Sequence, residues 1–262
     1  MTDRAAQFRA LHVPGNPLLM PNPWDVGSAR LLASLGFAAL ATTSSGFAMT
    51  LGRPDGSVSR DEAIGHAAAL VAAVDVPVSA DLENCFAADA EGVARTVEQA
   101  VGAGLAGCSI EDWSGTAIYH LAAALDRVRA AVQAADGRLV LTARAENHLH
   151  GVEDLADTIR RLQAYQEAGA DVLYAPGLTA LGDIRTVVRE LDRPVNVLAM
   201  AATPPVAALA EVGVARISVG GAFSYVAAAA VADAARELLG EGSYGYTARA
   251  RQGREAMGHA VS

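Results

Sequence analysis

The stretch Gln166-Glu167-Ala168-Gly169-Ala170-Asp171-Val172-Leu173-Tyr174-Ala175 decides the fold. Upstream of Gly169, Val152–Ala168 reads as a helix; downstream, Asp171–Ala175 is an apolar run of strand length. The glycine between them supplies the left-handed residue that ends a helix. The same junction recurs at Leu35-Gly36-Phe37, Ala103-Gly104-Leu105 and Val212-Gly213-Val214. Working outward, strands are expected at Leu18–Met20, Phe37–Thr42, Val76–Leu82, Ala106–Ile110, Leu139–Ala145, Asp171–Ala175, Val195–Leu198 and Arg216–Val219, with a helical stretch after each. Strands alternating with helices predict an α/β fold with a parallel sheet. Eight such units in 262 residues match the size of one (β/α)8 TIM barrel. The four glycine junctions precede the second, fourth, sixth and eighth strands. The chain is therefore read as a single barrel domain over residues 1–262, with its core at about 16–240. A doubly wound sheet is the alternative.

Composition removes several chemistries. The chain is 52% hydrophobic and 19% charged, as a globular protein is, and all 20 of its basic residues are arginine. With no lysine there is no Schiff-base aldolase, no covalently held pyridoxal phosphate and no Walker-type phosphate lysine. A net charge of -9 argues against a nucleic-acid surface. The two cysteines, Cys85 and Cys108, form neither a disulfide framework nor a metal-ligand spacing. Met1–Ala10 lacks the apolar core of a signal peptide, and no run approaches a membrane span. A cytoplasmic protein without membrane partners is expected.

In a barrel of this kind the active site lies at the C-terminal ends of the strands. Polar residues concentrate there: Thr42-Thr43-Ser44-Ser45-Gly46, Ser79-Ala80-Asp81-Leu82-Glu83-Asn84, Ser109-Ile110-Glu111-Asp112 and Thr142-Ala143-Arg144-Ala145-Glu146-Asn147-His148. Residues two apart share a strand face, so Ser79, Asp81 and Glu83 point together, as do Ser109 with Glu111 and Thr142 with Arg144 and Glu146. Asp81 and Glu111 on neighbouring strands would repel unless a cation lay between them. A hard divalent ion with oxygen ligands fits, Mg2+ or Mn2+ rather than zinc, because no histidine or cysteine shares that face. The alternative is a structural network in which these carboxylates pair with Arg144. His148, just past Arg144, is a candidate acid or base. Cys108 has the opposite parity and is expected to pack outward. The glycine pair Gly220-Gly221 is either a tight turn or a phosphate cradle.

These residues resemble the isocitrate lyase and phosphoenolpyruvate mutase superfamily. The likeness rests on Asn22-Pro23-Trp24-Asp25, Thr43-Ser44-Ser45-Gly46, Leu51-Gly52-Arg53-Pro54-Asp55-Gly56, Ala80-Asp81-Leu82-Glu83-Asn84, Ser109-Ile110-Glu111-Asp112 and Thr142-Ala143-Arg144-Ala145-Glu146-Asn147, in order, and runs from about Asn16 to Leu239. It implies a (β/α)8 barrel, a magnesium ion held by Asp81 and Glu111, and a small carboxylate substrate that is or yields an α-keto acid. Arg144 would clamp that carboxylate, with Asn147 beside it, and Thr43, Ser44 and Ser45 would bind it through backbone and hydroxyl donors. Asp55 would sit on a mobile loop near the metal. The resemblance also implies a homodimer or homotetramer, with the C-terminal helix a candidate for exchange between subunits.

The sequence departs from the pattern in three places. Ser79 stands where many members carry an aspartate; Glu83 shares the face of Asp81 and can replace that carboxylate or carry a proton; and Trp113-Ser114-Gly115-Thr116 stands where the lyases carry a lysine-lysine-cysteine-glycine loop. The expected reaction is a metal-dependent cleavage or formation of a carbon–carbon bond next to an α-keto acid, through a pyruvate-type enolate. Phosphoenolpyruvate or phosphonopyruvate mutase or hydrolase chemistry, or oxaloacetate decarboxylation, at the same site is the alternative. A carboxylate-binding barrel without turnover is the third reading.

Overall fold

The structure, a computed structural model, describes residues 3–261. Eight strands, β1 (Leu18–Met20), β2 (Leu40–Ala41), β3 (Val78–Asp81), β4 (Gly107–Glu111), β5 (Val140–Arg144), β6 (Val172–Tyr174), β7 (Val195–Leu198) and β8 (Arg216–Ser218), form one parallel sheet in the order β1-β8-β7-β6-β5-β4-β3-β2. The ends of that order meet: the Ala41 N–H donates to the Pro21 carbonyl at 3.1 Å, and Asn22 Nδ2 to the Thr42 carbonyl at 2.9 Å. Asn22 Oδ1 in turn accepts the N–H groups of Val219 and Gly220. One asparagine thus ties the first, second and eighth strands into a barrel. It also occupies amides of the Gly220 turn, which is accordingly a tight turn.

Helices α2 (Val26–Ser34), α4 (Arg60–Ala73), α5 (Ala90–Gly102), α6 (Leu121–Ala135), α7 (Leu155–Glu167), α8 (Leu181–Arg189), α9 (Val206–Glu211) and α10 (Ala222–Gly240) fall where the sequence places them. Asp25, Ser59, Asp89 and Asp154 cap α2, α4, α5 and α7 by accepting a backbone N–H from the third residue inside. At the far ends of α2, α5, α7 and α9, Gly36, Gly104, Gly169 and Gly213 all have φ between 80° and 103°. The repeat seen in the sequence is therefore a repeated helix stop.

Three further helices, α1 (Arg4–Ala10), α3 (Ser44–Thr50) and α11 (Thr247–Val261), were not expected. Helix α1 plugs the N-terminal mouth of the barrel. Its Phe8, fully buried, packs with Leu18, Met20, Ala106, Val140 and Val172, while the larger apolar core fills the shell between strands and helices. Gly107 is required here, because a Cβ would lie 2.7 Å from Phe8 and 2.8 Å from the Val140 carbonyl. Helix α11 lies against α2 of its own chain. No helix among the described residues is long and apolar enough to cross a membrane.

Above Phe8 the floor of the barrel is polar. Arg216 is buried, and its Nε, Nη1 and Nη2 meet Asn196 Oδ1, His12 Nε2 and Thr142 Oγ1 at 2.9, 3.1 and 3.0 Å. Since the guanidinium can only donate and the Phe8 carbonyl facing His12 Nδ1 can only accept, His12 is the neutral Nδ1–H tautomer. Burial first, and Arg216 second, hold its pKa down to about 3. Burial likewise lowers that of Arg216 to about 10. His12 is thus a structural residue of the barrel floor.

Candidate active site

Strand register builds the site. Asp81, Ser109 and Thr142 lie side by side across β3, β4 and β5; two residues farther on, Glu111, Arg144 and Tyr174 lie side by side across β4, β5 and β6. The expected alternation holds, with Cys108, Ile110 and Ala143 buried in the outer core. Arg144 therefore emerges among acids from three directions. Its Nη1 lies 3.1 Å from Asp81 Oδ1, its Nη2 3.3 Å from Glu111 Oε2, and its Nε donates to Glu146 Oε1 at 2.6 Å. The Tyr174 ring lies below the guanidinium, 5.1 Å from centroid to Cζ. Asp81 also accepts the Ser44 N–H at 3.3 Å and the Ser109 hydroxyl at 3.4 Å.

A cavity of about 550 Å³ opens above this cluster, lined on its inner side by Ser44, Asp55, Asp81, Glu83, Glu111 and Arg144. A narrower bore of about 190 Å³ continues below it and is lined by Thr43, Ser45, Ser79, Thr142, Asn196 and Arg216, among others. Thr43 is the N-cap of α3, its hydroxyl accepting from the Gly46 N–H and lying 3.2 Å from Ser45 Oγ. The Asp55 loop is exposed, yet its carboxyl lines the cavity; the burial gained there, with Asp81 nearby, raises its pKa against the Ser44 hydroxyl. Burial, then Asp81 and Asp55, lift Glu83 to about 7. Burial raises Glu111 and Glu146 as well, each opposed by Arg144.

Glu83 reaches the cavity from a strained turn. Glu83, Cys85 and Phe86 have φ of 49°, 59° and 51°, the left-handed region that non-glycine residues avoid. The turn is pinned on every side. The Cys85 N–H donates to the Leu82 carbonyl, the Phe86 N–H to Asn84 Oδ1, and the Glu83, Asn84 and Cys85 carbonyls accept from the Glu111 N–H, Arg127 and the Thr96 hydroxyl. Cys85 faces away from the cavity, fully buried, with its thiol pushed up to about 12 by burial. Cys108 is equally buried.

The alternation fails after Arg144, because β5 ends there and residues 147–151 form a turn. Asn147 does not line the cavity. It is buried against α7, donating to Thr158 Oγ1 at 2.7 Å and to the Asp154 carbonyl at 3.3 Å. His148 does not line it either; the charged groups nearest in effect are Asp183, Glu153 and Asp154. The imidazole that does is His150. Its ring stacks on Trp113 at 3.6 Å and 11°, and its Nε2 lies 3.8 Å from Glu146 Oε2. Sequence reasoning also passed over Asp112, a buried hub that accepts from the Glu146 N–H, Arg161 and the Tyr165 hydroxyl at 2.8, 3.1 and 2.6 Å. The signal for it was present: an acid one residue out of phase with Glu111.

Among the described residues no three histidine, cysteine, aspartate or glutamate side chains converge into a closed metal cage. The donor set nonetheless suits a hard ion that keeps several waters. The cavity carries four carboxylates, Asp55, Asp81, Glu83 and Glu111, against one guanidinium, and these offer hard oxygen donors.

The sequence model of the family described as phosphoenolpyruvate phosphomutase matches residues 8–239. The chain belongs to the isocitrate lyase/phosphoenolpyruvate mutase superfamily. Within it, the chain is 33% identical to 2-methylisocitrate lyase of Escherichia coli, over 75% of this chain and 71% of that protein. It is 34% identical to an uncharacterized protein of Mycobacterium tuberculosis, over 88% of each. Among solved structures it superposes on a provisionally assigned lyase/mutase from Burkholderia cenocepacia J2315 with a TM-score of 0.92 and 48% identity, covering 97% of this chain and 94% of that one. The chain is accordingly an enzyme of this lyase and mutase superfamily, on the superfamily's (β/α)8 barrel.

Proposed function

We propose that this superfamily member is a divalent-metal-dependent carbon–carbon lyase acting next to a 2-oxo acid carboxylate, with magnesium as the metal and manganese as its substitute. The observation carrying this reading is the convergence of Asp81 and Glu111 on Arg144 at the open end of β3, β4 and β5. A divalent ion held by Asp81 and Glu111 would supply Lewis-acid stabilisation of the charge that develops in a pyruvate-type enolate. Arg144 presents a planar two-donor fork suited to the substrate carboxylate, held in orientation by Glu146 and the Tyr174 ring. Thr43, Ser44 and Ser45 line the wall beside it and orient the same carboxylate. Glu83 carries the proton, because its carboxyl faces the cavity beside Asp81 while both thiols lie buried in the core. Asp55 closes the site from its exposed loop.

The test is product analysis of the protein supplied with magnesium and a panel of 2-hydroxy and 2-oxo acids. Pyruvate or another 2-oxo acid released with its cleavage partner is the expected result. Phosphate released from phosphonopyruvate would move the assignment to phosphonate chemistry, and oxalate binding without any turnover would make the barrel a carboxylate binder.

We also infer a homodimer or homotetramer. Val226, Val231 and Leu239, spread around α10, are 67, 71 and 88% exposed, apolar surface on one helix that a second copy would cover. Light scattering on the eluting protein tests this; a monomeric mass at micromolar concentration would overturn it.

A further inference from the structure

The cavity of about 550 Å³ extends beyond the carboxylate cluster, and its two halves differ in chemistry. The inner half holds all four acids and Arg144. The outer half holds the rings and apolar side chains of Trp113, His150, Phe86, Val58 and Leu149, together with the uncharged polar Asn84 and Ser114. The stacked rings of Trp113 and His150 make a flat wall there, and His150 is kept towards its neutral form by burial and by Arg144. Val58 is buried and Phe86 half-buried, so these side chains are held in place.

The cations decide what this half can hold. Arg144 is the one arginine among the described residues lining the cavity, and it lies in the inner half among Asp81, Glu111 and Glu146, where its remaining N–H donors are assigned to the acid's own carboxylate. Arg216 is no substitute. It lies in the narrower bore below, with every nitrogen engaged by Asn196, His12 or Thr142. A second anionic group on the substrate, reaching into the outer half, would meet no cation there and would be brought near Glu83 and Asp55. Apolar or aromatic surface would instead exchange water for the Trp113, Phe86 and Val58 side chains.

We propose that the outer half of the cavity takes an uncharged apolar or aromatic substituent of a 2-oxo or 2-hydroxy acid, stacked on the Trp113–His150 pair, and discriminates against substrates with a second carboxylate or a phosphoryl group at that end. This rests on the reading above that the inner half takes the acid's own carboxylate. The expected substrate class is therefore a 4-hydroxy-2-oxo monocarboxylic acid with an aryl or branched-alkyl group on C4; loss of the C4 hydroxyl proton with cleavage of C3–C4 leaves an aldehyde and a pyruvate enolate, which takes up a proton at C3, and phenylpyruvate and 4-methyl-2-oxopentanoate stand in for it in binding.

The experiment is titration calorimetry of the intact protein with magnesium, using oxalate, phenylpyruvate, 4-methyl-2-oxopentanoate, oxaloacetate and phosphonopyruvate. Phenylpyruvate is expected to bind about tenfold more tightly than oxaloacetate or phosphonopyruvate, an advantage the size of one aromatic contact. Trp113→Ala should lose that advantage while holding oxalate within about twofold. Leu149→Arg, a change at an exposed rim position, should raise oxaloacetate affinity by about tenfold by supplying the missing cation. Equal or tighter wild-type binding of oxaloacetate or phosphonopyruvate would overturn the proposal, as would a Leu149→Arg protein that folds and gains nothing. Failure of oxalate to bind at all would instead overturn the assignment of the inner half.

Discussion

Arg144 Nε donates to Glu146 Oε1 at 2.6 Å, and Glu146 is 1% exposed. The pair joins the last residue of β5 to the turn that follows it, and Asp112 holds that turn through the Glu146 N–H. The arginine that faces the cavity is therefore also part of the frame. A lysine has one nitrogen and cannot meet Asp81, Glu111 and Glu146 together. Arg144→Lys should weaken oxalate binding at least about tenfold and also cost roughly 3 kcal/mol of stability, the scale for an orphaned buried charge. Calorimetry and urea unfolding check the two halves separately; unchanged oxalate affinity in a destabilised protein would leave Arg144 a purely structural role.

Asp81 and Ser79 share a strand face, but only Asp81 reaches Arg144, Ser44 and Ser109. Asp81→Asn should reduce magnesium or manganese affinity by about tenfold or more, as loss of one of two carboxylate ligands would, whereas Ser79→Ala should change it little. Equal metal affinity in wild type and Asp81→Asn, measured by manganese titration, would defeat the ligand assignment.

Both thiols are fully buried, and Glu83 faces the cavity. The double replacement Cys85→Ser with Cys108→Ala is expected to retain most turnover wherever it folds. Glu83→Gln should lose about a hundredfold, the scale of a general acid or base, with the fold intact by circular dichroism. A folded but inactive thiol-free protein would make Cys85 the acid.

Asp55 sits between Gly52 and Gly56, whose φ values are 67° and 75°, in an exposed loop that ends at the Ser59 cap of α4. The segment just before it is anchored, since the Phe47 ring stacks on His66 at 3.9 Å. Closure is therefore expected in the exposed residues 51–57, short of the buried Val58, and not across the whole stretch from Phe47. Hydrogen exchange there should slow on adding magnesium and oxalate, while Phe47–Thr50 stay unchanged; no slowing at saturating ligand would mark the loop as a fixed wall.

His12 is neutral in the folded barrel down to about pH 3 and titrates near 6.5 when unfolded. Between those values the unfolded chain binds the extra proton, so stability present above about pH 6.5 is lost as pH falls, by at most roughly 1.4 kcal/mol per pH unit from this group. His12→Gln keeps an acceptor for Arg216 without the titration. Urea unfolding at pH 7.5, 6 and 5 should show a shallower decline for the variant; parallel curves would show that His12 does not carry the effect.

All eight strands, the helix stops at Gly36, Gly104, Gly169 and Gly213, and the facing of Asp81, Glu111 and Arg144 were legible in the sequence. Each depends on local chemistry, namely glycine conformation, apolar periodicity and the alternation of side chains along a strand. That alternation informs only while the strand lasts. Beyond Arg144 the chain turns, so His150 and not His148 meets the cavity, and Asn147 serves α7. Glu83 kept its expected face for a different reason, a left-handed turn pinned by Arg127, Thr96 and Glu111 from distant parts of the chain. Helix α1 and the His12–Arg216 floor were likewise beyond reach, because Phe8 and His12 acquire their roles only when the barrel closes around them. Sequence determined which residues line the strand ends; tertiary packing decided which loop residues join them, since contacts between distant segments set the backbone wherever no regular hydrogen-bonded element does.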